Sequence, residues 1–189
     1  MKTSKSINTK AMIYCAIFAA LISVGALTRI PVPMIPFTLQ FLFTNLAGIM
    51  LGPVYGAISV SIYVALGLMG LPVFASGGGL GYVFQPTFGY LLAFILGAFV
   101  AGKMTQKEGF RNFKGYLLAS FTGLLIVYIL GFIYYNLLAV FVLNINVDPG
   151  LLFLHAFLMP LPGDVVSCIL GSMLAVRIPS IRRQISFNF

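Results

Sequence analysis

The sequence predicts an all-α integral membrane protein, a bundle of six transmembrane helices with both termini cytoplasmic. Three observations carry this. Of 189 residues, 60% are hydrophobic and only 7% charged, where an ordinary soluble domain has about 25% charged, and mean hydropathy is +1.07. The apolar residues fall in runs near the ~20 residues that cross a hydrocarbon core. The basic residues gather at the ends of those runs, nearly all on one side once six spans are drawn.

The first span covers residues 11–28, and 37–51 form a shorter second one closed by Gly52-Pro53. The third is 54–71, and the fourth is 82–102 with Pro86 near its start. Residues 103–115 are a polar cytoplasmic loop before a long fifth span, 116–143. The outer loops are 29–36, 72–81 and 144–162. The last of them holds a short apolar segment packed at the membrane surface, interrupted by Pro160-Leu-Pro-Gly-Asp164 before a sixth span, 163–178. Residues 1–189 read as a single transmembrane domain.

Charge supports this layout. Lys2, Lys5, Lys10, Lys103, Lys107, Arg111, Lys114, Arg177, Arg182 and Arg183 share one side, and only Arg29 is on the other. Cytoplasmic segments are the ones enriched in Lys and Arg, so both termini are assigned there. Five or seven spans would scatter these residues over both faces. The net charge of +8 is therefore topogenic and lipid-facing; no basic patch with interleaved aromatics suggests nucleic acid. Cys15 and Cys168 lie inside apolar runs and read as small buried residues. The first run lacks a convincing cleavage site and is expected to stay as a helix.

Enzyme chemistry finds little to use. After Gly79 the chain reads Leu-Gly-Tyr-Val-Phe-Gln, without the lysine and Ser/Thr of a phosphate-cradling loop. His155, Glu108, Asp148 and Asp164 are too scattered for a metal site or a catalytic set. No catalytic residue, metal or cofactor is expected.

Three irregular Gly/Pro-bearing segments share the outer side: Arg29–Pro36, Gly70–Gly81 and 144–164. Irregular backbone at membrane depth is tolerated where it is buried in protein or lines a cavity, which predicts an outward-facing pocket. Asp164 lies 13 residues before Arg177, ~20 Å along a helix, inside the outer third of the membrane. It reads either as a ligand-binding carboxylate or as the cap of the sixth helix. Thr38, Gln40 and Asn45 on the second span, Ser76 in the loop, and Gln85, Thr87 and Tyr90 entering the fourth add polar groups to a mostly apolar site. Gly77, Gly78, Gly79 and Gly81 let the loop backbone approach a ligand closely, as a lid. On the first span Ala16 and Ala20 stand one turn apart, fit either for packing within the bundle or for docking another membrane protein.

Four ordered motifs resemble the BioY family of biotin-binding S components of energy-coupling factor (ECF) transporters: Ile35-Pro-Phe-Thr-Leu-Gln40, Gly67-Leu-Met-Gly-Leu-Pro-Val-Phe-Ala75 with the glycines after it, Pro86-Thr-Phe-Gly-Tyr90, and Leu161-Pro-Gly-Asp164. The resemblance spans about residues 10–178. It implies the six-helix S-component fold, capture of biotin from outside, and a separate energising module of one transmembrane coupling protein and two ATPases. It implies docking on that coupling protein through Ala16 and Ala20, and adds Phe74 and Ser167 to the substrate-binding residues. Gln85 and Phe88 stand where the family pattern has glycines, and Ser167 where a lysine is common. Asp164 suits a ureido N–H, while Tyr90, Gln85, Gln40, loop amides or Arg29 are all candidates for the biotin carboxylate. An S component for a different vitamin, or a self-sufficient channel or carrier, is the alternative reading.

Overall fold

The computed structural model describes residues 9–30, 37–142 and 148–178. Lys2, Lys5, Arg182 and Arg183, most of the Pro-rich turn and the start of the last outer loop lie outside the described residues. Among the described residues seven α-helices follow in order: α1 Thr9–Leu27, α2 Gln40–Leu51, α3 Pro53–Leu68, α4 Phe88–Met104, α5 Phe113–Phe141, α6 Pro149–Phe153 and α7 Leu161–Arg177. A two-residue antiparallel pairing, β1 Arg29–Ile30 with β2 Phe37–Thr38, closes the base of the loop between α1 and α2. A π-helical turn, Leu154–Leu158, leads from α6 toward α7.

Local chemistry explains the boundaries. Gly52 at φ 86° turns the chain, and Pro53 opens α3 at the first helical position, where its missing N–H is no loss. The Asn112 side chain accepts a hydrogen bond from Gly115 N at 2.8 Å and caps α5. Helix α4 starts at Phe88, later than the expected start of its span. Gln85 is held extended before Pro86, as the residue before a proline usually is, and Leu80–Phe84 form a 3-10 turn instead.

Helices α1 and α5, and the continuous helical stretch Leu154–Arg177, are long and apolar enough to cross a membrane; α2, α3 and α4 are shorter apolar helices. The 29 residues of α5 reach about 44 Å, beyond the ~30 Å hydrocarbon core. Large side chains such as Ile13, Ile17, Leu118, Leu125, Ile129 and Ile133 are exposed on the outside of the bundle. Small residues lie within: a Cβ on Gly48 would run into the Ala98 carbonyl, and one on Gly102 into the Gly48 carbonyl. Helices α2 and α4 thus meet backbone to backbone, the packing that small residues permit where lipid supplies no hydrophobic drive.

A buried polar cluster ties three helices within the bundle. Asn45 Nδ2 donates to Ser120 Oγ at 2.6 Å, Ser120 donates to the Tyr116 carbonyl, and Ser172 Oγ lies 3.4 Å from Ser120 Oγ while donating to the Cys168 carbonyl. Asn45 thereby serves the junction of α2, α5 and α7. Cys15 and Cys168 are free and buried, and Cys15 Sγ reaches the Tyr55 carbonyl at 3.4 Å.

Candidate ligand-binding site

Next to this cluster, at the ends of the helices where α2, α4 and α7 begin, lies a cleft with about 590 Å³ of empty space, its open mouth included. Apolar and aromatic side chains, Phe41, Leu91, Phe94 and Val127 among them, make most of its wall. Small-molecule sites are built this way, with a few polar groups set among them to fix orientation.

Asp164 is one of those groups. Helix α7 begins at Leu161 with no side-chain cap bond, so Asp164 sits inside the first turn and is not the cap. Its Oδ2 instead accepts the Tyr128 hydroxyl at 2.7 Å, from the middle of α5. Tyr128 was not picked out by sequence reasoning. Its signal was a tyrosine inside an otherwise apolar helix, since a buried tyrosine hydroxyl usually has a hydrogen-bond partner. The Tyr128 ring packs edge-on against Phe157 at 4.7 Å, and Phe157 stacks on Phe153 at 5.0 Å, so the π-helical turn and α6 buttress the Asp164 partner.

Thr38, Gln40, Thr87, Tyr90 and Asp164 come together in the cleft wall. Tyr90 donates its hydroxyl to the Ala156 carbonyl at 2.8 Å, which fastens α4 to the π-helical turn. Thr38 Oγ1 accepts the backbone N–H of Gln40 at 3.4 Å. The β1–β2 register sets Arg29 opposite Thr38, beside a wall residue; the Arg29 side chain is outside the described residues. Tyr82, Ala75 and Pro160 also line the cleft and were missed.

The glycine-rich loop is an ordered turn. Phe74 and Gly77 exchange backbone hydrogen bonds at 2.9 and 3.2 Å, and Gly79 N donates to the Gly67 carbonyl at 2.7 Å. Phe74 is fully buried, seated on Gly67, where a Cβ would overlap its ring. It packs edge-on with Tyr63 at 5.4 Å and against Tyr82 at 4.5 Å. Phe74 therefore stands behind the wall and supports Tyr82, which forms part of it. Ser76, Gly77, Gly78, Gly79 and Gly81 are absent from the lining of the cleft, and Ser76 and Gln85 are exposed. Ser167 is buried one turn below Asp164 and also lies outside the lining. Ala16 and Ala20 are exposed on α1, whereas Ala19 is buried.

Comparison with known proteins bears on this architecture. A model of the BioY family matches residues 1–184. The chain belongs to the BioY family. It is 39% identical over 180 residues to a probable biotin transporter BioY of Lysinibacillus sphaericus, covering 95% of this chain and 92% of that one. It is 40% identical over 171 residues to the biotin transporter BioY of Thermotoga maritima, covering 89% and 95%. Among solved structures it resembles the S-component for biotin from an ECF-type ABC transporter, with a TM-score of 0.73 at 31% identity over 91% of this chain and 94% of that one. FolT bound with folic acid shares the fold, with a TM-score of 0.66 at 17% identity over 92% and 95%. BioY membership makes the chain a multi-pass membrane transport protein and not an enzyme.

Proposed function

We propose that this protein is a biotin-specific S component. It captures biotin from outside and hands it to an ATP-driven uptake machine formed with a separate transmembrane coupling protein and two ATPases. The observation that carries the reading is the Tyr128–Asp164 pair (2.7 Å) in the wall of an apolar cleft, in a chain whose relatives at 39% and 40% identity are named biotin transporters. Biotin has an apolar fused ring and tail, which suit the aromatic wall. Its ureido group offers two N–H donors, and a half-buried carboxylate with one oxygen held by Tyr128 keeps its other oxygen, Oδ1, for one of them. Such a bond to a charged acceptor is stronger than a neutral one. Both termini are cytoplasmic in this reading, supported by ten basic residues against one.

Small molecules released from the purified, detergent-solubilised protein and weighed by mass spectrometry should include biotin, near one per chain after incubation with it. Recovery of a different vitamin in stoichiometric amount, with biotin absent, would replace the substrate.

The exposed pair Ala16 and Ala20 supports docking of the coupling protein on α1. Leucine at both positions should abolish most co-purification with the energising module and leave biotin affinity within about twofold of wild type, since exposed sites usually change stability little. Lost affinity with an intact complex would return these alanines to the packing of the bundle itself.

A further inference from the structure

One polar atom in the cleft wall has no partner among the described residues. Gln40 is 4% exposed, lines the cleft, and its side-chain Nε2 is buried without a hydrogen-bond acceptor among the described residues. Leaving an amide donor dry and unpaired is unfavourable, and protein interiors rarely hold such a group without a use for it.

Its depth matches that of Asp164. Helices α2 and α7 pack side by side, and a Cβ on Gly171 of α7 would stand 3.6 Å from Asn45 Nδ2 of α2. Both helices run inward from the outer face. Stepping outward from that contact, Gln40 is five residues away on α2 and Asp164 seven on α7, rises of about 7.5 and 10.5 Å. A donor and an acceptor thus stand at nearly the same level on adjacent helices of one cleft.

We infer that Gln40 is a specificity-determining residue: its amide N–H donates to the ligand's urea carbonyl while Asp164 accepts the neighbouring ring N–H, so that the pair reads the N–H/C=O edge of a cyclic urea. This rests on the biotin reading above and adds a residue and a polarity to it. That edge supplies the acceptor that Gln40 Nε2 does not find among the described residues.

Gln40→Leu separates the alternatives, tested by calorimetry with biotin, with 2-iminobiotin (whose cyclic guanidine replaces the carbonyl by a nitrogen that is protonated at neutral pH), and with biotinamide, which lacks the tail carboxylate. Biotin and biotinamide should each bind about three- to tenfold more weakly than to wild type, the loss of one neutral hydrogen bond. Iminobiotin affinity should hold or improve, because a donor facing a donor has been removed. The ligand-free variant should melt at or above the wild-type temperature, since an unsatisfied buried amide has been replaced by an apolar group of similar size. Equal losses for biotin and iminobiotin with biotinamide unaffected would assign Gln40 to the carboxylate and overturn the proposal. A lowered melting temperature with all affinities unchanged would make it a structural residue and overturn it too. Wild-type protein that binds none of the three would instead remove the biotin reading beneath it.

Discussion

Asp164→Asn should weaken biotin binding about ten- to hundredfold while the ligand-free protein stays folded. The substitution keeps the size of the side chain and an oxygen that can accept the Tyr128 hydroxyl, which now lies 2.7 Å from Asp164 Oδ2. What it removes is the charge. A hydrogen bond to a charged group contributes about 1.5–3 kcal/mol, and 1.4 kcal/mol is tenfold in Kd. An amide at this position also turns a donor toward the ligand's own donor whenever its oxygen stays on Tyr128. Asp164→Ala should add a loss of stability of about 1–3 kcal/mol, because the buried Tyr128 hydroxyl loses its acceptor. Calorimetry with biotin and thermal melts of the two variants check both statements. Wild-type affinity in the asparagine variant would confine Asp164 to holding α5 against α7.

Gly79→Val should cost about 1–3 kcal/mol and Gly81→Val close to nothing, although both fall in the same glycine run. Gly79 has φ 102° and ψ 165°, a region essentially reserved for glycine, and forcing another residue there carries a penalty of that size. The loop cannot simply relax, because Gly79 N is bonded to the Gly67 carbonyl at 2.7 Å and Tyr82 N to the Gly79 carbonyl at 3.0 Å. Relief means lifting the turn off α3, which disturbs the Phe74 anchor and the Tyr82 part of the cleft wall. Biotin affinity should fall by about five- to hundredfold if that whole penalty appears as lost binding. Gly77, at φ 117°, should behave like Gly79, and Gly78 should be as intolerant for another reason: a Cβ there would run into the carbonyls of Leu71 and Gly67. Gly81 has neither a positive φ nor a neighbour within 4 Å of a Cβ. Equal binding by the Gly79 and Gly81 variants would mean that the loop geometry does not matter for the site.

Much of the fold and part of the site was legible in the residues alone. Runs of apolar residues and ten basic side chains against one report on solvent, and solvent is a property of long stretches that needs no contact map. The same logic placed Asp164: a carboxylate in an apolar run has few tolerable positions, and most of them face a cavity. Thr38, Gln40 and Tyr90 joined it because polar side chains at the outer ends of spans avoid lipid in the same way. The extended residue that Pro86 forces on Gln85, and hence the late start of α4, follows from a purely local rule.

Other features were decided only when the helices packed. Tyr128 and Asp164 are 36 residues apart, and nothing in either span says that they touch. Phe74 looked like a ligand contact and instead fills the notch left by Gly67, while Ser76 and Gln85 turned to the outside. The reason lies in the solvent. In water an amphipathic stripe shows which face of a helix turns inward, but in lipid both faces of a helix are apolar and the stripe fades. Rotation is then set by small residues that let backbones meet, as at Gly48 and Gly102, and by scarce polar side chains finding partners, as Asn45 finds Ser120. The sequence by itself determined how many times the chain meets the membrane and where its polar groups must hide. Only the tertiary structure decided which of those groups face one another.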